Sequence, residues 1–76
     1  MNYLSAMPIP VDSSLLASVA YDATAAVLQL ELRSGSIYQY FGVPRTTYEA
    51  LLAADSKGTY FNGFIRERFS YALVKR

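Results

Sequence analysis

Three short β-prone runs followed by an apolar stripe at helical spacing predict an α+β fold, a small antiparallel three-stranded meander packed against two short helices. The runs are Leu16 to Tyr21, Val27 to Arg33 and Ser36 to Phe41. Three adjacent strands joined by turns imply an antiparallel meander. The helical stripe is Tyr48, Leu51 and Leu52, at i, i+3 and i+4.

In chain order, residues 1–12 form an extended N-terminal arm ahead of a single domain over 13–76. Pro8 and Pro10 flank Ile9, fixing two φ angles and removing two donors, which makes the arm extended or loop. Tyr3, Leu4 and Ile9 are its candidate packing residues. In the first strand Leu16, Ser18 and Ala20 point one way and Ala17, Val19 and Tyr21 the other. Asp22-Ala23-Thr24 reads as a turn. The second strand sets Leu28, Leu30 and Leu32 against Val27, Gln29, Glu31 and Arg33, the pattern of one buried face. Ser34-Gly35 is a hairpin turn, and the third strand is rich in the residues that suit a pleated, half-buried surface.

Gly42-Val43-Pro44 ends the sheet. Pro44 sits where a first helical turn accepts proline, and about three turns run from there to Ala54 on strong helix formers. Asp55-Ser56 interrupts, with Ser56 placed to cap a second helix over Lys57 to Ile65, where Gly58 and Gly63 each cost ~1 kcal/mol relative to Ala. Tyr71 to Val74 is apolar and β-prone and is a candidate fourth strand.

Composition bounds the function. Seventy-six residues make one domain, burying about 60% of the unfolded surface. A hydrophobic fraction of 53%, with seven Tyr and four Phe, argues for a packed core and against disorder. With no Cys and no His, disulfides, thiol chemistry, imidazole acid/base work and the usual zinc ligand sets are excluded, and no cofactor is expected. Met1-Asn2-Tyr3-Leu4 lacks both a basic leader and an apolar run, and no stretch approaches the ~18 apolar residues of a membrane span. The cytoplasm is the expected compartment.

The net charge of +1 is unevenly placed. Residues 1–56 hold two basic and five acidic residues, whereas 57–76 hold Lys57, Arg66, Arg68, Lys75 and Arg76 against Glu67 alone. Such asymmetry marks either a solvated end or an anionic partner. Tyr38 and Tyr40 share one face of the third strand. If Ser34-Gly35 is a two-residue turn, both face the polar side with Glu31 and Gln29 as a stacking platform. If a third residue and a glycine bulge enter the turn, both join Leu28 and Leu30 in the core.

Three separated stretches, Ser13 to Asp22, Tyr38-Gln39-Tyr40-Phe41-Gly42-Val43-Pro44 and Ser56-Lys57-Gly58-Thr59-Tyr60-Phe61-Asn62, resemble the KTSC domain. This small, mainly bacterial domain stands alone or at the C-terminus of some lysyl-tRNA synthetases and has a central Tyr-x-Tyr motif. The resemblance covers roughly residues 13–74 and implies RNA binding by association with the synthetase. Phe69-Ser70-Tyr71 departs from the usual Tyr-Pro-Tyr-like segment, so no role is carried to Phe69.

RNA or single-stranded DNA needs cations for phosphates and aromatic faces for bases. Tyr38, Tyr40, Lys57, Tyr60, Asn62, Arg66 and Arg68 are the candidate binding residues. Asn62 either reads a base edge or bonds nearby main chain. Arg66 and Arg68 form one patch on an extended segment but diverge on a helix. The alternative is a protein–protein module using an exposed aromatic patch or a sheet edge. An enzyme is disfavoured: Asp55-Ser56-Lys57 sets a Ser beside a Lys, but adjacent residues point apart, which suits a helix start better than a nucleophile and its base.

Overall fold

A computed structural model describes residues 7–76. In chain order the elements are β1 (Ile9–Pro10), β2 (Leu16–Asp22), β3 (Val27–Leu32), β4 (Ile37–Phe41), α1 (Arg45–Ala53), α2 (Lys57–Phe64) and β5 (Tyr71–Lys75). The five strands form one antiparallel sheet in the order β1-β2-β3-β4-β5, with the helical pair inserted before the last strand. Leu16, Val19, Leu28, Leu30 and Tyr40 from the sheet meet Leu51, Phe61 and Ile65 from the helical segment in a single core. The class is α+β as expected, but the sheet is larger than a three-stranded meander with a candidate fourth strand.

Both additions are edge strands. Tyr71 to Lys75 pairs with β4, and Ile9 and Pro10 of the arm pair with Val19 and Ser18. A two-residue strand containing proline shows no alternation to detect, and an edge tolerates proline because its missing donor breaks no ladder. Tyr3 and Leu4 lie outside the described residues.

Two irregularities decide which side chains face the helices. A bulge between Leu16 and Ser18 inserts Ala17 as an extra residue, so Leu16 shares a face with Val19 and Tyr21. The strict alternation expected for this strand, with Leu16 beside Ser18 and Ala20, is therefore corrected. Serine 13 supports the approach to the bulge: its Oγ accepts from the amides of Leu15 and Leu16 at 3.2 Å each. Arg33 ties down the same loop, donating to the carbonyls of Ser13 and Val11 at 2.9 and 3.0 Å.

The β3–β4 turn takes three residues. The Gly35 amide donates to the Leu32 carbonyl and the Leu32 amide to the Ser36 carbonyl, with Gly35 at φ 97°. That left-handed conformation is open to glycine at no steric cost. The resulting register pairs Leu30 with Tyr38 and Leu28 with Tyr40, which puts both tyrosines on the helix side of the sheet. On the opposite side Gln39 donates to Gln29 at 2.9 Å, and both are buried.

Pro44 is the N-cap of α1 rather than its first helical residue, and its carbonyl accepts from Thr47 and Tyr48. Leu51 is the fully buried residue of this helix, and Tyr48 stacks on Tyr21 at 4.7 Å. Ser56 caps α2 as expected, accepting from the Thr59 amide. The two helical glycines differ. A Cβ on Gly58 would sit 3.3 Å from Leu15 Cβ, whereas one on Gly63 meets nothing within 4 Å. Gly63→Ala therefore raises the unfolding free energy by about 1 kcal/mol, read as a higher urea midpoint. An unchanged or lower midpoint would refute this.

Candidate functional site

An open groove of about 1000 Å³ lies where β4 and β5 meet the end of α2. Its floor and walls include Tyr38 and Tyr40 from β4, Phe61 and Asn62 from α2, and Tyr71 from β5; Arg66, Glu67, Arg68 and Phe69 come from the connecting turn. The aromatic side is continuous. Tyr71 lies 5.8 Å from Tyr38 and 5.4 Å from Tyr40, and Tyr40 packs edge-on against Phe61 at 5.5 Å. Tyr71 is 58% exposed and Tyr40 only 3%, so one ring is offered to solvent and the other forms the base of the groove.

The cations arrive through the way α2 ends. The Phe61 carbonyl accepts from both the Ile65 and Arg66 amides, and Arg68 donates to the Ile65 carbonyl, so the chain tightens into turns. Arg66 and Arg68 therefore sit on neither a regular helix nor a strand, and both line the groove. The Ser70 carbonyl then accepts from the Phe41 amide and docks the chain beside β4. Arg66 donates to Asn62 Oδ1 at a long 3.4 Å, so Asn62 steadies a groove cation instead of bonding main chain. Arg68 lies 5.9 Å from the centre of the Phe64 ring, within cation–π range.

Of the residues expected from sequence, the groove brings together Tyr38, Tyr40, Asn62, Arg66 and Arg68. Two fall elsewhere. Lys57 donates to the Ala54 carbonyl at 3.0 Å, satisfying the end of α1, and Tyr60 stacks on Phe64 at 4.8 Å. Among the groove residues that sequence reading did not single out, Tyr71 is the exposed aromatic one. Its β-prone run was visible, but its meeting with the Tyr38/Tyr40 face depends on strand pairing. Ser56 and Lys57, the adjacent nucleophile-like pair, are engaged in capping α2 and closing α1.

Burial pushes the Tyr40 phenol above its ordinary range; the Arg66 guanidinium pulls it down in part, and Tyr71 and Tyr38 push it further up. The folded state thus holds this proton more tightly than the unfolded chain. The stability this contributes is fully present below about pH 10 and is lost as pH rises through the raised folded value. Tyr40→Phe flattens the alkaline limb of urea midpoints measured from pH 8 to 11. Part of the slope persists because burial also raises Tyr48. An unaltered slope in the variant would contradict the assignment.

The sequence model of the KTSC domain matches residues 12–69. The chain belongs to the KTSC domain family. Over 60 residues, 79% of this chain, it is 47% identical to a lysine-tRNA ligase from Nostoc sp., of which that stretch is 11%. It is 38% identical to a protein from Tsukamurella paurometabola, with 79% of this chain and 90% of that one covered. The KTSC domain is thus a small part of the ligases it matches and nearly the whole of the second relative. The crystal structure of a KTSC domain protein from Yersinia pestis superposes with a TM-score of 0.89 at 33% identity, covering 92% of this chain and 99% of that one. Among the described residues no group of three or more carboxylates is placed to hold a metal, and no helix is long and apolar enough to cross a membrane.

Proposed function

We propose that this KTSC domain is a non-enzymatic module that binds single-stranded RNA along the groove. The observation that carries the reading is the convergence of a half-exposed ring, Tyr71, with Arg66 and Arg68 on one concave surface. A base stacks on Tyr71, whose ring Tyr38 supports edge-on at 62°, while the arginines neutralise adjoining phosphates. Asn62 keeps its amide N–H groups for a base edge, since its carbonyl oxygen is the atom engaged by Arg66. The lysine-tRNA ligases that contain a matching stretch are named for a reaction on RNA, which supports the same reading by association.

Two arginines make a short electrostatic contact, so stacking supplies most of the affinity. With about two phosphates neutralised on a single strand, affinity falls roughly sevenfold between ~50 and ~200 mM salt. The test is an amide NMR titration of the labelled protein with short mixed-sequence RNA, and with DNA of the same sequence, at both salts. Shifts confined to residues 38–40 and 61–71, weaker at the higher salt, support the groove. Tighter binding of RNA than DNA identifies the 2′-hydroxyl as part of what is read. No shifts with either strand at high concentration sink the reading.

One observation favours a protein partner instead. β5 is an edge strand whose groove-side residues Tyr71 and Leu73 are both exposed, a template for an added extended peptide. Lys75 on the same strand opposes such pairing. Concentration-dependent dimerisation, followed by sedimentation, would shift the balance to this alternative.

A further inference from the structure

Tyr40 is 3% exposed, yet its hydroxyl has no hydrogen-bond partner among the described residues. None of the side-chain oxygens and nitrogens that are wholly buried there lacks a partner, so the Tyr40 hydroxyl is not sealed in the core. Its outlet is the groove it lines. The hydroxyls of Tyr38 and Tyr71 likewise have no partner among the described residues, and their rings bracket the same spot. A nearly buried side chain that turns its hydroxyl to the groove, with two further phenols and Arg66 lining the same surface, gathers hydrogen-bond donors there.

The arrangement of charge says which acceptor fits. Arg66 and Arg68, the cations that line the groove, are two residues apart with Glu67 between them in sequence. Tyr38, Tyr40, Tyr71 and Arg66 all line the groove. A phosphodiester offers two free oxygens and one charge, whereas a terminal phosphate offers three oxygens and close to two charges, matching an arginine fork plus several hydroxyls.

We propose that the groove floor holds a terminal phosphate of a single nucleic-acid strand, with Tyr40 and Arg66 as its donors and Tyr38 and Tyr71 beside them. The inference rests on the RNA-binding reading and makes the domain a reader of strand ends, in which the adjoining base stacks on Tyr71.

The test measures affinity for one short RNA in three forms: 5′-phosphorylated, 3′-phosphorylated, and with hydroxyls at both ends. One phosphorylated form is expected to bind the full chain about tenfold more tightly than the unphosphorylated strand, the value of one charged hydrogen-bonded contact. Tyr40→Phe retains the ring and lowers that ratio severalfold, the Arg66 contact remaining. Tyr60→Phe, which removes a hydroxyl outside the groove, keeps it. Equal binding of all three strands to the unaltered protein overturns the end-reading proposal and leaves the RNA reading standing. An unchanged ratio in Tyr40→Phe overturns the role of the floor hydroxyl, and the absence of binding by every strand overturns both readings together.

Discussion

Leu51→Ala is expected to lower the unfolding free energy by about 2–5 kcal/mol. Leu51 is completely buried and is the one residue of α1 that is. Alanine preserves helix propensity, so the loss comes from removed apolar surface and from the cavity left between α1 and the sheet. For a chain of 76 residues, total stability is on the order of 4–11 kcal/mol, so a single truncation consumes much of it. The readout is the urea midpoint at unchanged slope. Leu73→Ala, at an exposed position of an edge strand, is expected to cost under 1 kcal/mol. Similar losses for the two would mean that α1 is not anchored through Leu51.

Tyr71→Ala is expected to weaken RNA binding by about 1–3 kcal/mol, or roughly 5- to 150-fold, if one base stacks on the ring. The ring is 58% exposed, so its removal leaves the core intact while deleting the solvent-facing part of the aromatic wall. Tyr71→Phe separates surface from hydroxyl: it retains most of the affinity if stacking dominates. An unfolding free energy within about 1 kcal/mol of the unaltered protein's, from urea titration, would establish that lost binding is not lost folding. Undiminished binding by Tyr71→Ala would move the RNA contact away from the groove.

The legibility of these features differed for physical reasons. The Leu28, Leu30, Leu32 alternation and the Tyr48, Leu51, Leu52 stripe are local periodicities, and burial requires them whatever the partner element. The cap at Ser56 is equally local, because a hydroxyl two or three residues from an orphan amide needs no tertiary help. By contrast, the alternation of the first strand misassigned Leu16, since one inserted residue at Ala17 rotates everything before it onto the other face. Lys57 illustrates the same limit at the candidate site. Its charge was evident, but its use on the Ala54 carbonyl depends on the tight join between two helices.

By itself the amino-acid sequence determined the α+β class, the two helices, the core stripe and the cationic end that supplies Arg66 and Arg68. Only the tertiary structure decided the faces. Two hairpin registers were open for Tyr38 and Tyr40, differing by a single residue. The three-residue turn closed by left-handed Gly35 selected the one that buries Tyr40. Pairing of β5 with β4 then set Tyr71 against both tyrosines, and the turn after α2 brought Arg66 across to them. Strand pairing joins residues 31 positions apart, and no local pattern in either strand specifies the other as its partner.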